Sequence, residues 1–293
     1  MGKKNLFLLL LIVGTAFWGI SYSVTKYAIG QASYATFLFY RYVLATVVLA
    51  LIFSKTVRRL KRADIVTGAL LAFPLLGSTL LLTIGLQYTT ASQASFLTGT
   101  CVILVPILKS FIYRKALPGK TWLASGMALL GLFIICMKEQ FSLSMGDLLT
   151  LGSAVSFSLY LIFVERLAAK RNIFPTIVPM FATCALITCC YALLDTSANW
   201  APVTLGFWMS IVYCALFATA YMYTVSNVAQ KYLSAEKIAI IYLFEPVFGA
   251  LAAFVMLDEA LSWRLLIGGC LIFVATFISQ IDFRQYSLPL TKR

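Results

Sequence analysis

The sequence predicts an all-α integral membrane protein in which ten transmembrane helices form two inverted five-helix repeats, with both termini cytoplasmic. Three observations lead there: the apolar runs, the placement of the basic residues and an internal duplication. Of 293 residues, 61% are hydrophobic and only 11% charged, and the mean hydropathy is +0.93, beyond the range of a soluble domain of this length. A helix needs about 20 apolar residues to cross roughly 30 Å of hydrocarbon. Runs of that kind occupy 6–28, 34–54, 65–86, 92–113, 121–138, 147–165, 174–194, 204–227, 237–257 and 263–281. The connections between them are short and free of Gly-, Ser- or Pro-rich tracts, so the runs are expected to form one bundle.

The first run follows MGKKNLFLLLLIVG and continues to Ile29 without a small-residue cleavage site, so it is expected to stay as the first span. It carries Thr15, Trp18 and Tyr22 on one face. The second holds Arg41. The third carries Thr79, Thr83 and Gln87 at i, i+4 and i+8, a polar stripe along one helical face. The fourth starts close to Ser95 and ends close to Lys109, whose long stem can carry its charge back to the cytoplasmic interface. The fifth opens on Trp122, followed by small residues. In the sixth, Ser153, Ser156 and Tyr160 stand 138 residues after Thr15, Trp18 and Tyr22. In the eighth, Thr219, Tyr223 and Asn227 stand 140 residues after Thr79, Thr83 and Gln87. The ninth is IIYLFEPVFGALAAFVML, with Tyr242, Glu245 and Gly249 on one face, and the tenth opens on Trp263 as the fifth does on Trp122.

These correspondences divide the chain into two units, 6–138 and 147–281. Five spans is an odd number, so the second copy must enter the membrane from the opposite side. The charges agree. Of 23 lysines and arginines, Lys26, Lys138 and Arg264 fall in outer segments, Arg41 and Lys109 lie within spans, and the other 18 are cytoplasmic if the N-terminus is inside, a strong positive-inside bias. The loop YRKALPGK after the fourth run and its counterpart LDEALSWR after the ninth carry opposite charge, as their opposite sides demand. The net charge of +13 is thereby explained by topology and an anionic inner leaflet, and nucleic acid is not implied.

Several function classes drop out on composition. The chain has no histidine, and its seven cysteines lack a C-x-x-C spacing and read as small apolar filler, so neither a metal site nor a cofactor is expected. No paired carboxylates, nucleophile elbow or Walker loop is present, which argues against an intramembrane enzyme and a self-contained pump. Inverted repeats belong to alternating-access transporters, with a substrate site near the midplane where the repeats meet. The expected partners are therefore a small-molecule substrate, protons as a candidate coupling ion, and the lipid bilayer. The expected location is the inner cell membrane, as a multi-pass protein of open oligomeric state.

In the first unit AFWGISYSVTKYAI, LFYRYVLA, GLQYTTASQASFLTGTCVILVP and GMALLGL follow one another, and in the second AVSFSLYLIFVERL and YLSAEKIAIIYLFEPVFGALAAFVMLDEALSW. In order, spacing and duplication this resembles the drug/metabolite transporter superfamily, and within it the ten-helix EamA-type permeases. The glutamate that usually follows the fourth helix of such a repeat is Glu259 in the second copy and Lys115 in the first. The resemblance implies a secondary carrier of small metabolites, commonly an exporter of amino acids or their derivatives, and an arginine at the place of Arg41 is common in similar proteins. An importer of scavenged metabolites and a lipid or headgroup flippase are the alternatives.

Glu245 is the only acidic residue deep in a span, where a charge costs about 2.5 to 3.5 kcal/mol on insertion scales. At ~1.5 Å per residue it lies ~12 Å from the cytoplasmic start of its helix, and Arg41 a similar depth from the other side, so an ion pair between them is expected. Glu245 then either takes up a proton or a cationic substrate group or only anchors Arg41. The expected cavity wall is Trp18, Tyr22, Thr79, Thr83, Gln87, Ser95, Tyr160, Thr219, Tyr223, Asn227 and Tyr242, an aromatic and hydrogen-bonding lining suited to amphipathic solutes.

Overall fold

A chain in hydrocarbon must satisfy its backbone polar groups within itself, and an apolar sequence of this length does so by helices. The computed structural model describes residues 3–114, 119–136 and 144–280. Lys115, Lys138, Arg284, Lys292 and Arg293, on which the charge argument partly drew, lie outside the described residues. Every long element is a helix: α1 (Lys3–Ile29), α2 (Tyr34–Ile52), α3 (Arg62–Gly85), α4 (Ala91–Gly99 and Cys101–Tyr113), α5 (Gly119–Cys136), α6 (Met145–Ala168), α7 (Ile177–Leu194), α8 (Leu205–Ala229), α9 (Ala235–Ile241 and Phe244–Leu257) and α10 (Trp263–Gln280). Among the described residues eight helices are long and apolar enough to cross a membrane, and Trp263–Ala275 is a shorter apolar helix.

The helices meet in matched pairs. α1 lies along α9 and α6 along α4; α3 lies along α6 and α8 along α1; α2 lies along α7, and α5 along α10. Two of these contacts depend on glycine. A Cβ on Gly19 of α1 would stand 2.7 Å from the Gly249 amide nitrogen of α9, and one on Gly146 of α6 would stand 2.7 Å from the Gly85 carbonyl oxygen of α3. Backbones approach this closely only where side chains are absent.

Three helices are irregular, and each irregularity sits near the middle of the bundle. α4 and α9 are both broken, at Thr100 and at Tyr242–Leu243. Pro246 cannot donate to the Tyr242 carbonyl four residues back; the Glu245 N–H takes that place at 2.9 Å, closing a tighter turn. This accounts for the Glu-Pro pair inside an apolar run: Glu245 opens the half-helix Phe244–Leu257, where the helix dipole favours a carboxylate. α4 and α9 also end alike, on Arg114 and Asp258, both left-handed with φ of 51°. α8 contains a π-helical stretch, Cys214–Tyr221, a rarity that shifts the register of every side chain after it.

Candidate functional site

The irregular middles of α4, α8 and α9 border a narrow cavity of about 60 Å³, open in part to the outside, small beside the roughly 300 to 1,000 Å³ of drug-sized ligand sites. α1 contributes Trp18, Ser21, Tyr22 and Thr25; α2 contributes Arg41; α3 and the turn after it contribute Ser78, Thr79, Leu82, Thr83 and Leu86. Thr98 and Cys101 come from α4, Ser153, Ala154 and Phe157 from α6, Tyr223 from α8 and Glu245 from α9. The cavity runs from a floor of Trp18, Phe157 and Tyr223 toward the bundle end where α3 turns into α4.

The floor is an aromatic cluster. The Trp18 ring centroid lies 5.2 Å from Tyr223, 5.5 Å from Phe157 and 5.0 Å from Tyr242, all edge-on. The Trp18 indole N–H donates to the Ala218 carbonyl at 2.6 Å, inside the π-helical stretch, so the tryptophan is pinned by the irregular part of α8. Beyond the floor the bundle is sealed. The Tyr160 hydroxyl donates to Asn227 Oδ1 at 2.7 Å, and the Tyr242 hydroxyl meets Ser226 Oγ at 2.6 Å. Asn227 Nδ2, Thr224 Oγ1 and both side-chain polar atoms of Gln230 are buried there without a partner.

The expected lining residues divide into three groups. Trp18, Tyr22, Thr79, Thr83, Tyr223, Arg41 and Glu245 border the cavity. Thr219 stands behind the wall and holds Arg41, while Tyr160, Asn227 and Tyr242 form the sealed layer beneath the floor. Gln87 and Ser95 are elsewhere: α3 ends at Gly85, which leaves Gln87 exposed in the following turn, and Ser95 is wholly buried with its hydroxyl on the Ser92 carbonyl at 2.7 Å. Ser21, Thr25, Ser78, Thr98 and Cys101 were not anticipated, because small hydroxyls in apolar helices read equally well as glue between helices. The i, i+4 relation of Ser21 to Thr25 and of Trp18 to Tyr22 was the available signal.

The expected ion pair between Arg41 and Glu245 is not formed. Arg41 Nε donates to Thr219 Oγ1 at 2.7 Å, and Glu245 Oε1 accepts from the Tyr22 hydroxyl, which also meets Thr98 Oγ1 at 2.6 Å. Both groups border one cavity, but helices α2 and α9 do not pack along each other, and a shared depth says nothing of lateral distance. Lys109 also departs from expectation. Its ammonium does not reach for the interface alone but pairs with Glu165 of α6 at 2.5 Å.

Both ends of the bundle are tied by charge. At the end toward which the cavity runs, Lys26 meets Glu259 at 3.3 Å, and Glu259 accepts from the Ala91 and Ser92 amides that open α4, at 2.8 and 3.0 Å. Burial pushes the Glu259 carboxyl up, but these amides, the Ser92 hydroxyl and the Lys26 ammonium outweigh it and hold the group below its ordinary value. Beside it Asp147 takes the Thr89 hydroxyl and the Gln93 side-chain amide, each at 2.8 Å. At the other end Arg171 pairs with Asp64, and Glu165 accepts from the Ala235 amide that opens α9, at 3.2 Å. Each end thus sets a carboxylate at the start of one of the broken helices.

Comparison with known proteins agrees with this architecture. The EamA-like transporter family profile matches twice, over residues 5–137 and 144–280. An uncharacterized transporter of Archaeoglobus fulgidus is 27% identical over 198 residues, 67% of this chain and 62% of the relative, so the match spans less than two thirds of that protein. The uncharacterized transporter YyaM of Bacillus subtilis is 22% identical across 86% of each chain, and one from Methanothermobacter thermautotrophicus is 24% identical across 92% of this chain and 84% of its own. A solved structure titled only as the crystal structure of a protein superposes with a TM-score of 0.71 at 16% identity, covering 98% of this chain and 99% of that one, a likeness of fold alone.

Proposed function

Because the chain belongs to the EamA-like transporter family, we propose that it is a secondary active exporter of small amphipathic metabolites such as amino acids or their derivatives. It works by alternating access about the central cavity, as ten spans in two inverted repeats in the inner cell membrane, with both termini cytoplasmic. Such a carrier must present its substrate site to one side at a time. The observation that supports the reading is the state of one residue: Thr79 and Thr83 of α3 and Tyr223 of α8 border the cavity, whereas Asn227, the last member of the α8 stripe, lies sealed with its Nδ2 unsatisfied. A buried polar group without a partner costs about 1 to 3 kcal/mol, which is recovered if the sealed stripe is hydrated in a second conformation. In that conformation the end tied by Lys26 and Glu259 closes over the substrate, and the end tied by Lys109 and Glu165 opens.

Proteoliposome counterflow with a panel of amino acids, peptides and amphipathic amines tests the transport class, and gradients of each sign test direction. Thiol labelling tests the mechanism. In a background with the native cysteines replaced, Asn227→Cys should resist a water-soluble maleimide at rest and react while a substrate is being exchanged. Equal labelling in both conditions would remove alternating access.

A further inference from the structure

The corner between α2 and α3 gathers charge that the cavity does not use. Lys55, Arg58, Arg59, Lys61 and Arg62 fall within eight residues, and all five are exposed. Among the described residues none of their ammonium or guanidinium groups forms an ion pair or a hydrogen bond. The acid beside them is already engaged: Asp64 is buried, accepts from the Lys61 amide at 3.1 Å and pairs with Arg171. The corner is also compact. Ser54–Val57 is one helical turn, and the Arg58 and Arg59 amides donate back to the Ser54 and Thr56 carbonyls, each at 3.0 Å. Both of its ends rest on the connection between α6 and α7. Phe53 meets the Phe174 ring edge-on with centroids 4.5 Å apart, and Arg171 donates to the Ala63 carbonyl and to Thr67 Oγ1 at 3.2 and 2.8 Å. Five cations are thus held together on a braced rim with no anion of the protein to relieve their repulsion.

Orientation in the membrane explains why cations collect at this end of the bundle, but not why so many share one corner. Next to them the surface turns apolar: Leu51 and Ile52 at the end of α2, and Ile65 and Val66 near the start of α3, are between 49% and 71% exposed. Guanidinium forks suit phosphate oxygens, and a basic cluster beside an apolar helix surface suits a lipid headgroup with its chains. We propose that this corner is a docking site for an anionic phospholipid of the adjoining leaflet, with its phosphate on the cations of 55–62 and its chains along Leu51, Ile52, Ile65 and Val66. A soluble anion would use the charges but not the apolar ledge. The site goes beyond the transporter reading and requires only that the chain spans a membrane.

The test titrates the full-length protein in a neutral detergent with phosphatidylglycerol, phosphatidylcholine or glycerophosphoglycerol, which is the anionic headgroup without chains. Melting temperature and adducts retained in native mass spectrometry are the readouts. Phosphatidylglycerol should raise the melting temperature and bind at least ten-fold more tightly than either of the other two. Arg58→Gln combined with Arg59→Gln should weaken phosphatidylglycerol by about ten-fold or more, and the melting temperature without lipid reports whether that variant is folded. Arg114→Gln combined with Lys237→Gln removes the same charge from other helices at this end of the bundle and should keep the preference. Equal weakening in the two pairs would reduce the effect to general attraction between a basic bundle end and an anionic surface, and would overturn the site. Equal binding of phosphatidylglycerol and phosphatidylcholine would overturn it as well. An equal shift from glycerophosphoglycerol would make the corner a soluble-anion site and overturn the lipid assignment.

Discussion

The polar stripes of α3 and α8 have the same spacing, 140 residues apart, and opposite fates. Thr79 and Thr83 border open space, and Gln87 has passed beyond the helix end into an exposed turn. Of their counterparts, Tyr223 forms part of the aromatic floor of the same cavity, Thr219 stands behind the wall in a π-helical stretch that α3 lacks, and Asn227 lies beneath the floor. Equivalent residues therefore have unequal surroundings: Thr79, Thr83 and Tyr223 line the cavity, whereas Asn227 is sealed with its Nδ2 unsatisfied.

The frame common to both stripes is the most sensitive place to break the comparison. Gly19→Val would drive a branched side chain into Gly249 and the Glu245 carbonyl of α9, and overpacking typically costs about 1 to 3 kcal/mol. Loss of most monodisperse protein in size-exclusion chromatography is expected, with a melting temperature several degrees lower in what remains. A variant as stable as the parent would mean that α1 and α9 separate freely.

The sealed stripe should matter next. Asn227→Leu removes the unsatisfied Nδ2 but leaves the Tyr160 hydroxyl without its acceptor, so the melting temperature should move little. Counterflow should fall about ten-fold, because a leucine there cannot be hydrated when that end opens. Unchanged counterflow would leave the stripe with a packing role only.

Glu259 sharpens the comparison from the open end. Its folded carboxyl titrates below the ordinary value of 4.5, so the stability it contributes is present above that value and is lost as pH falls through the depressed folded one. Thermal unfolding at pH 7 and pH 3 should therefore show a larger acid loss in the parent than in Glu259→Gln. Identical losses would mean that Glu259 does not hold α4 to α9. The smallest effect is expected at Gln87, where Gln87→Leu should alter stability by less than about 0.5 kcal/mol and counterflow by less than two-fold, in contrast to its counterpart Asn227.

Much of this was legible in the sequence, for reasons that differ from residue to residue. Apolar runs identify helices because hydrocarbon offers the backbone no other partner. The α3 and α8 stripes were visible because a helix repeats its faces every three to four residues. Gln87 falls outside the site because the stripe outruns its helix by two residues: the apolar run ends at 86, and Gly85 is of the residue type that commonly closes a helix. The partnership of Lys109 with Glu165 was not legible, because the two lie 56 residues apart on helices that only the fold sets side by side.

By itself the sequence determined the membrane class, the family and the duplicated stripes, all of which follow from local periodicity and from the solvent a lipid bilayer imposes. Only the tertiary structure decided which members of the two stripes face open space, that α8 shifts register through a π-helical stretch, and that Arg41 and Glu245 border one cavity without pairing. Those outcomes depend on lateral packing among helices, and a one-dimensional pattern fixes the depth of a residue in a bundle but not its neighbours.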